Sequence, residues 1–100
     1  MNRTLDQERA RDAERRASRE RDEIQELADL RWLLRDPAGR RIAWRLRERG
    51  GLTAPLFNAN AMAMSAEAGK RDFVLLLDAQ LRAADFEHYL KMQKENDRNG

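Results

Sequence analysis

Apolar residues are nearly absent from the first 23 positions, where only Met1, Leu5 and three alanines interrupt a run of charge. At Ile24 the pattern changes. Ile24, Leu27, Leu30 and Leu34 fall on one side of a 3.6-residue helix, and Ala17 and Ala28 extend its edge. Neither proline nor glycine occurs between Thr4 and Arg35. The spacing therefore predicts a continuous helix over 5–35, about 46 Å long at 1.5 Å per residue, of which only the last third can join a core. Thr4-Leu5-Asp6-Gln7 has the form of a capping box for its start.

Asp36-Pro37 ends that helix and begins the next. Proline disfavours the α conformation in the residue before it and is welcome at the first helical position, so Asp36 is a natural N-cap. Gly50-Gly51 supplies the stop. The connection is tight enough to make the two helices neighbours in an α-hairpin corner. On the second helix Gly39, Ile42, Ala43 and Leu46 share a face expected to turn inward, with small Gly39 and Ala43 letting backbones approach. Trp44 lies on roughly the opposite side, flanked at helical spacing by Arg40, Arg41 and Arg47. Trp32 likewise sits off the leucine stripe of the first helix. The corner thus carries apolar material on two faces, and either a later helix covers the second or it is an interface.

Residues 50–60 read as a loop, with Leu52, Leu56 and Phe57 expected to anchor it in the core. A third helix follows, starting at Asn60 or at Ser65 and running to about Ala84. Met62, Ala66, Gly69, Phe73, Leu77 and Ala84 form its main stripe. Val74, Leu75, Leu76 and Leu81 widen that stripe until little of the helix is expected to be exposed. Asp85 caps a short fourth helix with Phe86, Tyr89 and Leu90 on its inner face. No stretch alternates at period two for more than a few residues, so no strand is predicted. The prediction is an all-α fold: a charged helical arm (1–26), a small three- to four-helix domain (27–95) and a frayed tail (96–100).

Charge sharpens this picture. The chain has 20 basic and 18 acidic residues, a net charge of +2. Residues 1–23 hold seven arginines against seven acids, residues 24–51 seven against four, and residues 52–100 six basic against seven acidic. The positive excess sits in the corner and amounts to three, lighter than a dedicated nucleic-acid footprint. In the arm, Glu8 with Arg11, Asp12 with Arg15 and Arg16, Arg16 with Glu20 and Arg19 with Glu23 are spaced to pair. Each such pair adds only about 0.2–0.5 kcal/mol. A polar helix of this kind is either a solvated tail or an arm that orders against a neighbouring subunit.

Chemistry is sparse. The chain has no cysteine, which excludes disulfides and thiolate sites and fits a reducing compartment. No apolar run is long enough to span a membrane, and no export signal is present. The single histidine, His88, lacks ligand partners at i±4, so no metal or cofactor is expected. Ser18 and Ser65 have no base partner, and Asp78 and Asp85 read as capping or solvated carboxylates. No enzyme and no small-molecule substrate are expected. What remains is the basic-aromatic corner: Trp32, Arg40, Arg41, Trp44, Arg45, Arg47 and Arg49. Cation–π packing at a buried corner, a protein–protein contact and direct nucleic-acid contact all fit these residues.

Several short motifs carry a resemblance. They are Asp29-Leu30-Arg31-Trp32-Leu33, Pro37, Gly39-Arg40-Arg41, Trp44-Arg45-Leu46, Phe57-Asn58 with Asn60, Gly69-Lys70-Arg71 and the stretch Tyr89 to Glu95. In this order and spacing the chain over about 27–95 resembles a family of small helical proteins encoded among the virion genes of short-tailed phages, first noted in a Bordetella phage. The resemblance implies a virion-associated structural protein, made in the bacterial cytoplasm and carried in the particle. A small core and an arm with nothing of its own to bury suit one of many copies in a ring, so the expected partners are portal, core, ejection or capsid proteins and further copies of itself, with contact to packaged DNA also open. The arm lies outside the resemblance.

Overall fold

Asp36 organises the corner. Its backbone leaves helical geometry, and its carboxylate accepts hydrogen bonds from the Ala38 N–H at 2.7 Å and the Gly39 N–H at 3.4 Å. These are two of the donors that an α-helix leaves unpaired at its start. The computed structural model describes residues 2–52 and 60–97. Among the described residues four helices follow one another: α1 (Asn2–Arg35), α2 (Pro37–Arg49), α3 (Ala61–Ala84) and α4 (Phe86–Asn96). The fold is all-α, with no strand among the described residues. Of the expected loop anchors, Leu52 is half-buried, whereas Leu56 and Phe57 lie outside the described residues, as does the tail beyond residue 97.

The helix ends follow local chemistry. After α2 the N–H of Gly51 bonds to the Glu48 carbonyl at 3.1 Å and that of Leu52 to the Arg47 carbonyl at 3.2 Å. This is a Schellman closure, and Gly51 takes the left-handed φ of 73° that it requires. Asn60 caps α3 through Met62 and Ala63, and Asp85 caps α4 through His88. Thr4 lies inside α1 rather than at its cap, because the helix already runs from Asn2.

The molecule measures 65 × 39 × 17 Å, and its length comes from α1. Residues 4–26 of α1 are all exposed, and Leu27 is the first to lose solvent. Leu34, Ala43, Leu81, Tyr89 and Met92 form the core cluster, with Leu30, Leu33, Trp44 and Leu77 packed against it. Arg31 adds a tie from α1 by donating from Nε to the Ala84 carbonyl at the end of α3.

Four sequence-based expectations need correction. On α2 the inward face is Gly39, Arg40, Ala43 and Arg47, while Ile42 and Leu46 are exposed. Two arginines are drawn inside because distant acids meet them there. On α3 only Val74, Leu81 and Ala84 are buried, and Met62, Phe73, Leu75 and Leu76 face solvent. The other three helices are too short, or turned too far away, to cover it. On α4 Tyr89 and Met92 point inward, whereas Phe86 and Leu90 are exposed. Of the arm's expected ion pairs only Asp12–Arg15 comes within 4.0 Å, since exposed side chains gain little by holding one geometry.

Two glycines of these helices differ in purpose. A Cβ on Gly39 would collide with the backbone of Leu33, so its absence sets how closely α1 and α2 approach. Around Gly69, in the middle of α3, a Cβ would meet nothing within 4 Å. Gly69→Ala is therefore expected to stabilise the fold by about 0.5–1 kcal/mol, the usual helix-interior cost of glycine. Urea unfolding of the variant checks this.

Candidate functional site

The seven candidate residues divide by direction. Arg40 and Arg47 are each 4% exposed, and Trp44 is half-buried against the core cluster. Trp32, Arg41, Arg45 and Arg49 are exposed, Trp32 to 74%. The helical spacing that placed Arg40, Arg41 and Arg47 around Trp44 is real, but α3 and α4 cover the Arg40–Arg47 side.

Each inward arginine is held by carboxylates and carbonyls. Arg40 donates to Glu95 from Nε at 2.5 Å and from Nη2 at 3.4 Å, and its Nη1 reaches the carbonyls of Leu34 and Arg35. It thus satisfies the open C-terminal end of α1 while tying α2 to α4. Arg47 donates from Nε to Asp78 on α3 at 2.6 Å. Its guanidinium carbon lies 4.7 Å from the Trp44 ring centre and 5.6 Å from that of Tyr89. Nη1 of Arg47 is buried without a hydrogen-bond acceptor among the described residues. It rests instead against aromatic surface, where a cation is attracted by the ring quadrupole.

Asp78 and Tyr89 complete this knot. The Tyr89 hydroxyl donates to Asp78, 2.8 Å from Oδ1, and accepts from Gln93 at 3.3 Å. Burial and then the Asp78 acceptor hold the Tyr89 pKa above its ordinary 10.0, which keeps the hydroxyl a donor at neutral pH. Sequence reasoning missed Asp78 and Glu95 as partners of the arginines. Asp78 is neither a cap nor simply solvated. Spacing gives no sign of either pairing, because the partners lie 31 and 55 residues away.

Two further carboxylates make the fold sensitive to acid. The Arg40 hydrogen bond is the main influence that lowers Glu95 below its ordinary 4.5. At Asp85 burial pushes the pKa up, but hydrogen bonds from the His88 backbone and ring, with the charges of His88 and Arg35, outweigh it and leave the group below 3.8. Both carboxyls are more acidic folded than unfolded. Their contribution is complete above the unfolded values and is lost as pH falls through the folded ones. Stability is expected to be flat from neutral pH to about pH 5 and to fall below about pH 4, with a shallower fall in Glu95→Gln. Thermal melts across that range check it.

On the outer face of α2, Arg41, Arg45 and Arg49 recur every four residues, with Ile42 and Leu46 beside them. No group of three metal-binding side chains occurs among the described residues. No helix among them is long and apolar enough to cross a membrane. The sequence profile described as Bbp19-like phage protein matches residues 30–94, from the last turns of α1 into the last turn of α4. The chain belongs to the Bbp19-like phage protein family. The Bbp19-like region contains both inward arginines, Asp78 and Tyr89, and stops one residue short of Glu95. The continuously exposed stretch of α1, residues 4–26, precedes it. Comparisons with curated proteins and with solved structures give no match.

Proposed function

We propose that this phage protein is a structural component of the virion, internal or close to the portal, that works by protein–protein assembly rather than catalysis. It acts as one of several copies in a ring, alongside portal, core or capsid proteins, and an ejection or core role with the genome is part of this reading. The observation that carries it is the division of the chain. Family membership places it among phage proteins, and its inward arginines are committed to tying α2 to α1, α3 and α4. Its long first helix has more than twenty exposed residues and almost no ion pairs of its own. Such a helix is stabilised by lying on something else.

A second reading is contact with packaged DNA, favoured by Arg41, Arg45 and Arg49 on one exposed face. Phosphate contacts of this kind would weaken steeply with salt. A transient scaffold or assembly chaperone is the third.

Mass spectrometry of purified particles tests the proposal. The chain is expected in mature virions at a fixed copy number. Presence in precursor particles followed by loss on maturation supports the scaffold instead. Absence from both ends the virion reading.

A further inference from the structure

Two oppositely charged surfaces of this chain lie on different helices. The first is the outer face of α2, where Arg41, Arg45 and Arg49 stand beside exposed Ile42 and Leu46. Arg41 is near enough to Glu95 to act on its charge, but Arg45 and Arg49 have no partner among the described residues. The second is residues 19–29 of α1, which carry five acids and two arginines, a net charge of −3. Every residue there except Leu27 is exposed, and Ile24 is 69% exposed among the acids. Glu20, Asp22, Glu23 and Glu26 make no ion pair among the described residues.

We propose that copies of this chain join head to tail, the acidic stretch of α1 in one copy lying on the Arg41–Arg45–Arg49 face of α2 in the next. The inference rests on the assembly role proposed above and names the surfaces that perform it. The two surfaces cannot meet within one chain, because α2 turns the opposite side, Gly39, Arg40, Ala43 and Arg47, toward the rest of the molecule. Nor can either face pair with its own copy, since like charges would then oppose each other. A contact between two different patches is heterologous, and such contacts close into a ring or extend into a filament. DNA on the same arginines would leave the acidic stretch unpartnered and would be repelled by it. Exposed ion pairs are individually weak, so the contact also draws on Ile24, Ile42 and Leu46 and is expected to be salt-sensitive.

Charge exchange tests it on the full chain. Sedimentation velocity is expected to show assemblies at low salt that dissociate at about 0.5 M salt, where charges are screened over a few ångströms. Arg45→Glu with Arg49→Glu, and separately Glu20→Arg with Glu23→Arg, are each expected to give monomers with unchanged far-ultraviolet circular dichroism. An equimolar mixture of the two is expected to reassemble, because the reversed arm now matches the reversed face while the native pair is retained. A wild type that stays monomeric at low salt overturns the proposal, as do variants that assemble normally or a mixture that does not recover. Arg45→Glu with Arg49→Glu losing DNA binding while assembling normally assigns the face to DNA and also overturns it. In those cases the chain still appears in purified particles if the virion reading is right. Its absence from particles refutes that reading whatever the solution assembly shows.

Discussion

Asp78→Ala is expected to lower the unfolding free energy by about 3–5 kcal/mol, the usual cost of removing one partner of a buried ion pair. The Arg47 side chain is 5% exposed and Asp78 13%, so neither is free to exchange its partner for bulk water. Arginine does not lose its proton in a protein, so the guanidinium would stay charged and stranded. Its Nε would lose the acceptor at 2.6 Å, and Tyr89 would lose the acceptor of its hydroxyl. For a domain whose total stability is about 5–15 kcal/mol, that is a large fraction. Replacing both partners with apolar residues, Arg47→Met with Asp78→Leu, is expected to be close to neutral, because the penalty belongs to the orphaned charge rather than to a loss of attraction. Urea unfolding of the single and double variants measures the coupling directly. A loss under about 1 kcal/mol in Asp78→Ala would mean that water reaches Arg47 in the folded state.

Gly39→Ala is expected to cost about 3 kcal/mol or more, at or above the upper end for inserting a single methyl into a packed site. The added Cβ would lie within 2.8 Å of the Leu33 carbonyl carbon and closer still to its oxygen, both main-chain atoms that cannot rotate away. α1 and α2 would have to separate, and with them the carbonyls of Leu34 and Arg35 that Arg40 holds. Gly50 gives the contrast. There the nearest obstruction is the Cγ2 of Val74, with its Cβ next at 2.8 Å, so Val74→Ala is expected to recover part of the loss in Gly50→Ala by removing the first of these. No truncation of Leu33 is expected to rescue Gly39→Ala. Paired thermal melts of the four variants decide between main-chain and side-chain obstruction.

The corner was legible because its signals are local. Asp36-Pro37, Gly50-Gly51, Asn60 and Asp85 act through backbone geometry within a few residues, and each ends or begins a helix where expected. The change in the first helix was legible as a shift in hydrophobic period, but the stripe was expected to begin at Ile24, which stays 69% exposed because no other helix among the described residues reaches it, and burial begins one turn later at Leu27. The facing of α2 was not. Period-counting turns Ile42 and Leu46 inward, and only knowledge of Asp78 and Glu95 brings Arg47 and Arg40 there instead. Spacing marked Trp44 and its arginines as a unit, and the structure divides that unit between an inner and an outer side. On α3 the apolar stripe is broader than its neighbours can cover, so composition overstated its burial at Phe73 and Leu76.

α1 also acts as a lever. Its exposed portion over residues 4–26 extends about 35 Å at 1.5 Å per residue, and no proline or glycine interrupts it. A tilt of about 5° where it leaves the core would carry its tip roughly 3 Å sideways, about the width of a hydrogen bond. Small differences in how neighbouring cores are seated would therefore be magnified at the far end, making arm spacing a sensitive gauge of their orientation.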